Sequence, residues 1–154
     1  MSSDNNRNIG LSEIIRMLEN NVTFTQAADS VLECITDSMD ICDAVVMQID
    51  RESDTMHVIS ETGNCFKDES GTVKRSEFVL CSDAIKITYE GNADTAQKGL
   101  LDRLGVKLSI TVPILINNVK AMYLIVLSND VQAVSDNKIK EYISDMALVL
   151  HGIA

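Results

Sequence analysis

Lysine and arginine are scarce in this chain. Thirteen of them stand against 23 aspartates and glutamates, a formal net charge of −10. Phosphates are held by clustered cations, so no direct nucleic-acid binding is expected, nor binding to an anionic membrane. The acidity reads as solubility. Long apolar runs are missing too. The longest, 121-AMYLIVL-127, is far short of a membrane span, so no membrane insertion is expected. The start, 1-MSSDNNRN-8, lacks the apolar stretch of an export signal. Residues 1–10 read as a disordered lead-in, and 11–154 as one domain. Cys34, Cys42, Cys65 and Cys81 form no C-x-x-C pair. Without an export signal they are expected as reduced thiols in a cytoplasmic protein. The glycines are isolated, so no phosphate-cradling loop exists. Two histidines and scattered cysteines give no zinc-like spacing. Asp68–Glu69 and Asp136–Glu141 fall on loops or solvent faces, where nothing would raise a carboxyl pKa for acid–base work. No enzyme is expected, and no cofactor is specified.

What is present is pattern. Leu11, Ile14, Ile15 and Leu18 make a helical stripe. Thr23-x-x-Gln26 is a capping box that opens a second helix, whose apolar face is Ala27, Ala28, Val31, Leu32, Ile35 and Met39. Then 44-AVVMQI-49, a polar turn and 55-TMHVIS-60 read as a first hairpin. Residues 61–76 read as a loop, and 77-EFVLC-81 as a short strand. The segment 82–92 fits either a strand or a helical turn. Asp94 and Gln97 pair as a cap for a helix carrying Leu100, Leu101 and Leu104, with Gly105 ending it. The single proline sits in the strongest β-segment, 109-SITVPILINNVKAMYLIVLS-128. Asn117-Asn118 suits a two-residue primed turn that pairs Ile116 with Val119. Pro113 then marks a ladder position that needs no N–H: a bulge, an edge or a bonding gap. Ser135 is the expected cap of a last helix with Ile139, Tyr142, Ile143, Met146 and Leu150 on one face. Strands in adjacent hairpins with helices at the ends imply an α+β fold, an antiparallel sheet carrying helices on a face.

The chain resembles the GAF family from about Leu11 onward. Three stretches carry the likeness: 23-TFTQAADSVLECITDSMDICDAVVMQID-50, 100-LLDRLGVKLSITVPIL-115 and 120-KAMYLIVLSNDVQAVSDNKIKEYISDMALVLHGI-153. The family commonly has a glycine early in the strand after the second turn; Ala121-Met122 stand there. The resemblance implies a five- or six-stranded sheet in the order second, first, last, V-P strand, short strand. The helices holding Leu32 and Met146 should pack on one face. It also implies a regulatory sensor for a small molecule, signalling through its terminal helices to an output domain or partner. The plan is similar as well to the ligand-binding half of branched-chain-amino-acid-responsive repressors. PAS domains begin with a hairpin, whereas here two helices come first.

Subtypes of the family are not matched residue by residue. Bilin attachment uses a Cys next to His, or D-x-C-F; here 63-GNCF-66 has Gly63 in the aspartate position. The cyclic-nucleotide pattern meets Asn64, Phe66, Asp68 and Glu69, but without the lysine and with the wrong spacing. Sulfoxide reductases of this fold need a tryptophan that the chain lacks.

The ligand site is expected from alternation. Ser109 and Thr111 share one face of their strand, opposite Ile110 and Val112. Burying the two hydroxyls without partners would cost about 1–3 kcal/mol each. The helix pair needs the apolar face, so Ser109 and Thr111 should floor a cavity on the other side, with Tyr123 beside them. Cys65, Phe66, Phe78, Leu80 and Tyr89 are the expected roof. A homodimer through the first and last helices is expected from their apolar surplus. The alternatives are a ligand-free dimerisation module, or a thiol-based sensor or enzyme using Cys65 and Cys81.

Overall fold

The computed structural model describes residues 23–50, 52–53, 55–67, 72–74, 85–116, 119–130, 132 and 135–151. The lead-in, the Leu11–Leu18 stripe and the 77–81 segment lie outside the described residues. The described elements are α1 (Phe24–Ser38), β1 (Asp43–Asp50), β2 (Thr55–Glu61), β3 (Thr72–Lys74), β4 (Lys86–Tyr89), α2 (Thr95–Leu104), β5 (Leu108–Ile116), β6 (Val119–Ser128) and α3 (Asn137–His151). The strands form one six-stranded antiparallel sheet in the order β3-β2-β1-β6-β5-β4.

Local chemistry sets the boundaries. The Thr23 hydroxyl accepts from the Gln26 N–H at 3.2 Å, and Gln26 Oε1 accepts the Thr23 N–H at 3.0 Å. Asp94 and Gln97 repeat this reciprocal cap on α2 at 2.8 and 2.9 Å. Such caps satisfy N–H groups that have no partner inside the helix. Gly105 ends α2 at φ +72°, a left-handed conformation that suits a residue without Cβ. At α3 the cap is Asp136, not Ser135: Asp136 Oδ1 accepts the Lys138 N–H at 2.9 Å. The Ser135 hydroxyl instead donates to the Gln132 carbonyl.

Two sheet elements differ from expectation. Part of the expected middle loop is a strand, β3, which lengthens the sheet beyond β2. The partner of β5 on its outer side is β4, so the ambiguous segment is a strand over Lys86–Tyr89. The second hairpin has the expected register, Ile116 opposite Val119. Among the described residues, pairing between β4 and β5 reaches no further than Thr111. The Pro113 carbonyl meets His151 Nε2 at 3.3 Å. A strand residue points its N and C=O the same way. The nitrogen without a proton therefore faces the β4 side of the strand, beyond the described β4–β5 pairing.

The sheet is covered on both faces. On the first, α1 and α3 bury Leu32, Ile35, Ile143 and Met146 against Val46, Ile110, Val112 and Leu124. The Tyr142 hydroxyl joins the helices by donating to the Cys34 carbonyl at 3.1 Å; it also lies 3.0 Å from Ser38 Oγ. On the second face, Leu100, Leu101 and Leu104 of α2 pack with Val45, Met47, Phe66, Tyr123, Ile125 and Leu127.

Candidate functional site

The register places three hydroxyl residues side by side on the second face. Thr88 lies opposite Ser109, and Lys86 opposite Thr111. On their other side, Ser109 and Thr111 face Leu127 and Ile125, both members of the second core. Thr88 is 3 % exposed, and Ser109 and Thr111 are 2 % exposed each. The Thr111 hydroxyl donates to the Lys86 carbonyl at 3.3 Å. The Thr88 hydroxyl is buried with no hydrogen-bond partner among the described residues. Leaving such a group unsatisfied costs about 1–3 kcal/mol, so native chains keep one only for a reason. The expected floor thus consists of buried hydroxyls facing away from the helix pair. Thr88 extends it.

The other expected residues divide. Tyr123 lies opposite Pro113 on the same face and is buried in the second core. Phe66 is fully buried there, with Cys65 half-buried against it. Tyr89 is not part of this face. It lies opposite Leu108 and packs against the first core. Its place one residue after Thr88 turns it to the other side of the sheet. The Tyr89 ring lies over Gly91, where an added Cβ would come within 2.5 Å of it. Phe78 and Leu80 lie outside the described residues.

An open cleft of about 650 Å³ lies at the end of the hydroxyl strip. Tyr89, Glu90, Lys98, Leu101, Val106 and Lys107 are among its lining residues; Thr88, Ser109 and Thr111 are not. It begins one residue beyond Thr88 on β4 and two before Ser109 on the approach to β5. Leu101 and Val106 connect it to the second core. Among the described residues, no group of three or more His, Cys, Asp or Glu side chains could hold a metal ion. No helix among them is long and apolar enough to cross a membrane.

Sequence reasoning missed Thr88 because it lay in the ambiguous 82–92 segment. The alternation of Ile85 and Ile87 was the usable signal: a strand there points Thr88 away from the apolar face. The carboxyl pair Asp43–Glu61 was also missed. Its members are 18 positions apart and meet only through the register of β1 and β2.

No family model matches the sequence, and no curated protein matches it. Solved structures do match the fold. The A. aeolicus nlh2 GAF domain in an inactive state aligns at TM-score 0.73 and 16 % identity, covering 99 % of this chain and 97 % of that one. A phycocyanobilin-bound GAF domain from a cyanobacterial phytochrome aligns at TM-score 0.71 and 13 % identity, covering 96 % and 94 %. The GAF domain of an Acinetobacter phosphoenolpyruvate-protein phosphotransferase aligns at TM-score 0.69 and 16 % identity, covering 99 % and 93 %. Together with the sheet order and the helix pair on one face, these alignments give the chain the fold of a GAF domain.

Proposed function

We propose that this domain is a regulatory sensor, not an enzyme, and that it binds a small polar molecule on the second face of its sheet. The observation that carries this is the Thr88 hydroxyl, buried and without a partner among the described residues, beside two more buried hydroxyls. A ligand acceptor placed over Thr88 would accept its hydrogen bond and remove the desolvation cost. The same fold holds phycocyanobilin and phycoerythrobilin in solved neighbours, which supports a ligand on this scaffold. A bilin fits this chain poorly, because 63-GNCF-66 lacks the aspartate of the attachment motif and its Phe66 is core. Signalling runs through the terminal helices to an output domain or a partner. Leu148 of α3, 59 % exposed, supports a homodimer through that helix.

Thr88→Val keeps shape and removes the hydroxyl. In ligand-free protein it is expected to raise stability by about 1 kcal/mol, since an unsatisfied buried group disappears. Urea unfolding measures this. Thr111→Leu is expected to fold and to lose the ligand. A Thr88→Val protein less stable than the parent would mean that the hydroxyl has an internal partner, and the site would be wrong.

A further inference from the structure

Asp43 opens β1 and is 1 % exposed. Its register partner on β6 is Leu127, so its side chain faces the second core and meets no cation from that strand. Glu61 ends β2 opposite Val45, on the same face. Each carboxyl group already has one oxygen in use. Asp43 Oδ1 accepts the Gly63 N–H at 2.7 Å, with the Thr62 hydroxyl at 3.4 Å. Glu61 Oε2 accepts the Phe66 N–H at 2.9 Å. The remaining oxygens, Asp43 Oδ2 and Glu61 Oε1, are buried and have no donor among the described residues. Glu61 stands opposite Val45, two residues along β1 from Asp43, so the two side chains are diagonal neighbours on one face and hold the two ends of one turn. Two carboxylates cannot hydrogen-bond to each other there; a carboxylic acid and a carboxylate can.

We propose that Asp43 and Glu61 share one proton, and that this proton latches the turn from Thr62 to Phe66 over the second face. With it, Glu61 Oε1 donates to Asp43 Oδ2 and both orphan oxygens are satisfied. The turn is then pinned at its two ends, through the Gly63 and Phe66 N–H groups, and Phe66 stays in the core. Without the proton, two buried negative charges sit in contact and the pins separate. Gly63 fits this geometry because an added Cβ would lie 2.8 Å from Asp43 Oδ1.

The surroundings favour the protonated form near neutrality. Burial first, and then the bond to Asp43, push the Glu61 carboxyl up to about 8. The Phe66 N–H and the Lys67 ammonium oppose them without winning. From the first face, α1 brings Asp29, Glu33 and Thr36 to the groove bordered by Ser60, Glu61 and Thr62, and no cation among the described residues lines it. Asp29 there takes the Ser60 hydroxyl. The native state thus holds this proton more tightly than the unfolded chain. Its stabilisation is complete below the ordinary value of 4.5 and is lost as the pH rises through about 8.

Carbon-detected NMR of the full chain, with ¹³C-labelled glutamate and aspartate, reads the proton directly. Glu61 Cδ is expected to titrate near 8, and the Phe66 amide proton should shift with the same midpoint. In Glu61→Gln the carboxamide supplies the donor permanently, so the Phe66 amide should no longer titrate there. In Asp43→Asn the new amide donates to Glu61, whose midpoint should fall below the parent's while burial still holds it above the ordinary range. Release of the turn is read by peptide-resolved alkylation of Cys65. The parent-to-Glu61→Gln rate ratio cancels the thiol's own ionisation. It should rise about 30-fold between about pH 6.5 and about pH 9.5, tracking the ionised fraction of a group near 8. A parent Glu61 midpoint in the ordinary carboxylate range overturns the shared proton. A normal Phe66 titration in Glu61→Gln, or a flat alkylation ratio, overturns the latch. If Glu61→Gln does not fold, Asp43→Asn decides: an unmoved Glu61 midpoint rejects the pair.

Discussion

Leu124→Ala should cost this protein about 2–5 kcal/mol, a large part of the roughly 5–15 kcal/mol that separates native from unfolded chains. Leu124 is fully buried on β6, with β1 and β5 on either side of it. It stands opposite Val46 and Val112, beneath both helices of the first face. Neighbouring backbone is fixed by the ladders on either side, so the site cannot collapse into the space left by the lost methyls. Equilibrium urea unfolding should show a lower midpoint with an unchanged slope. A loss below about 1 kcal/mol would mean that the helix pair does not close on the sheet as described.

Phe66→Ala should cost about 3–5 kcal/mol by a separate route. Phe66 is among the largest fully buried side chains, and it belongs to the second core. Its ring anchors the turn whose backbone the two carboxyl groups hold. Losing it should destabilise the chain and also speed alkylation of the adjacent Cys65. Leu124→Ala should leave that rate unchanged in folded protein. Because the two side chains sit in different cores on opposite faces, the double variant should show the sum of the single effects to within about 0.5 kcal/mol. Strong non-additivity in urea unfolding would contradict two separate cores.

Much of this architecture was legible because its determinants are local. Thr23 with Gln26 and Asp94 with Gln97 are three residues apart, so each cap can be read from one helical turn. Gly105 and the Ile116–Val119 pairing follow from single-residue backbone preferences. Alternation in β5 separates Ile110 and Val112 from Ser109 and Thr111, and the structure preserves that division. What was not legible depends on distant partners. β3 is three residues long, and pairing with β2 defines it. β4 has a helix-compatible sequence that pairing with β5 resolves. Tyr89 lies off the expected ligand face because the register of β4 decides its side, and one residue of difference inverts every side chain. Asp136 displaced Ser135 as the cap because the helix begins one residue later than Ser135 would require.

Native mass spectrometry of the freshly purified chain tests the central claim most directly, since it weighs the protein with whatever it has retained. The hydroxyl-floored face predicts a small non-covalent adduct on the parent protein, released on activation in the gas phase. Thr88→Val and Thr111→Leu, prepared identically, should show the bare mass. The same spectra should show a dimer. A parent chain at its bare mass, or an adduct kept equally by both variants, would contradict a ligand held at Thr88, Ser109 and Thr111.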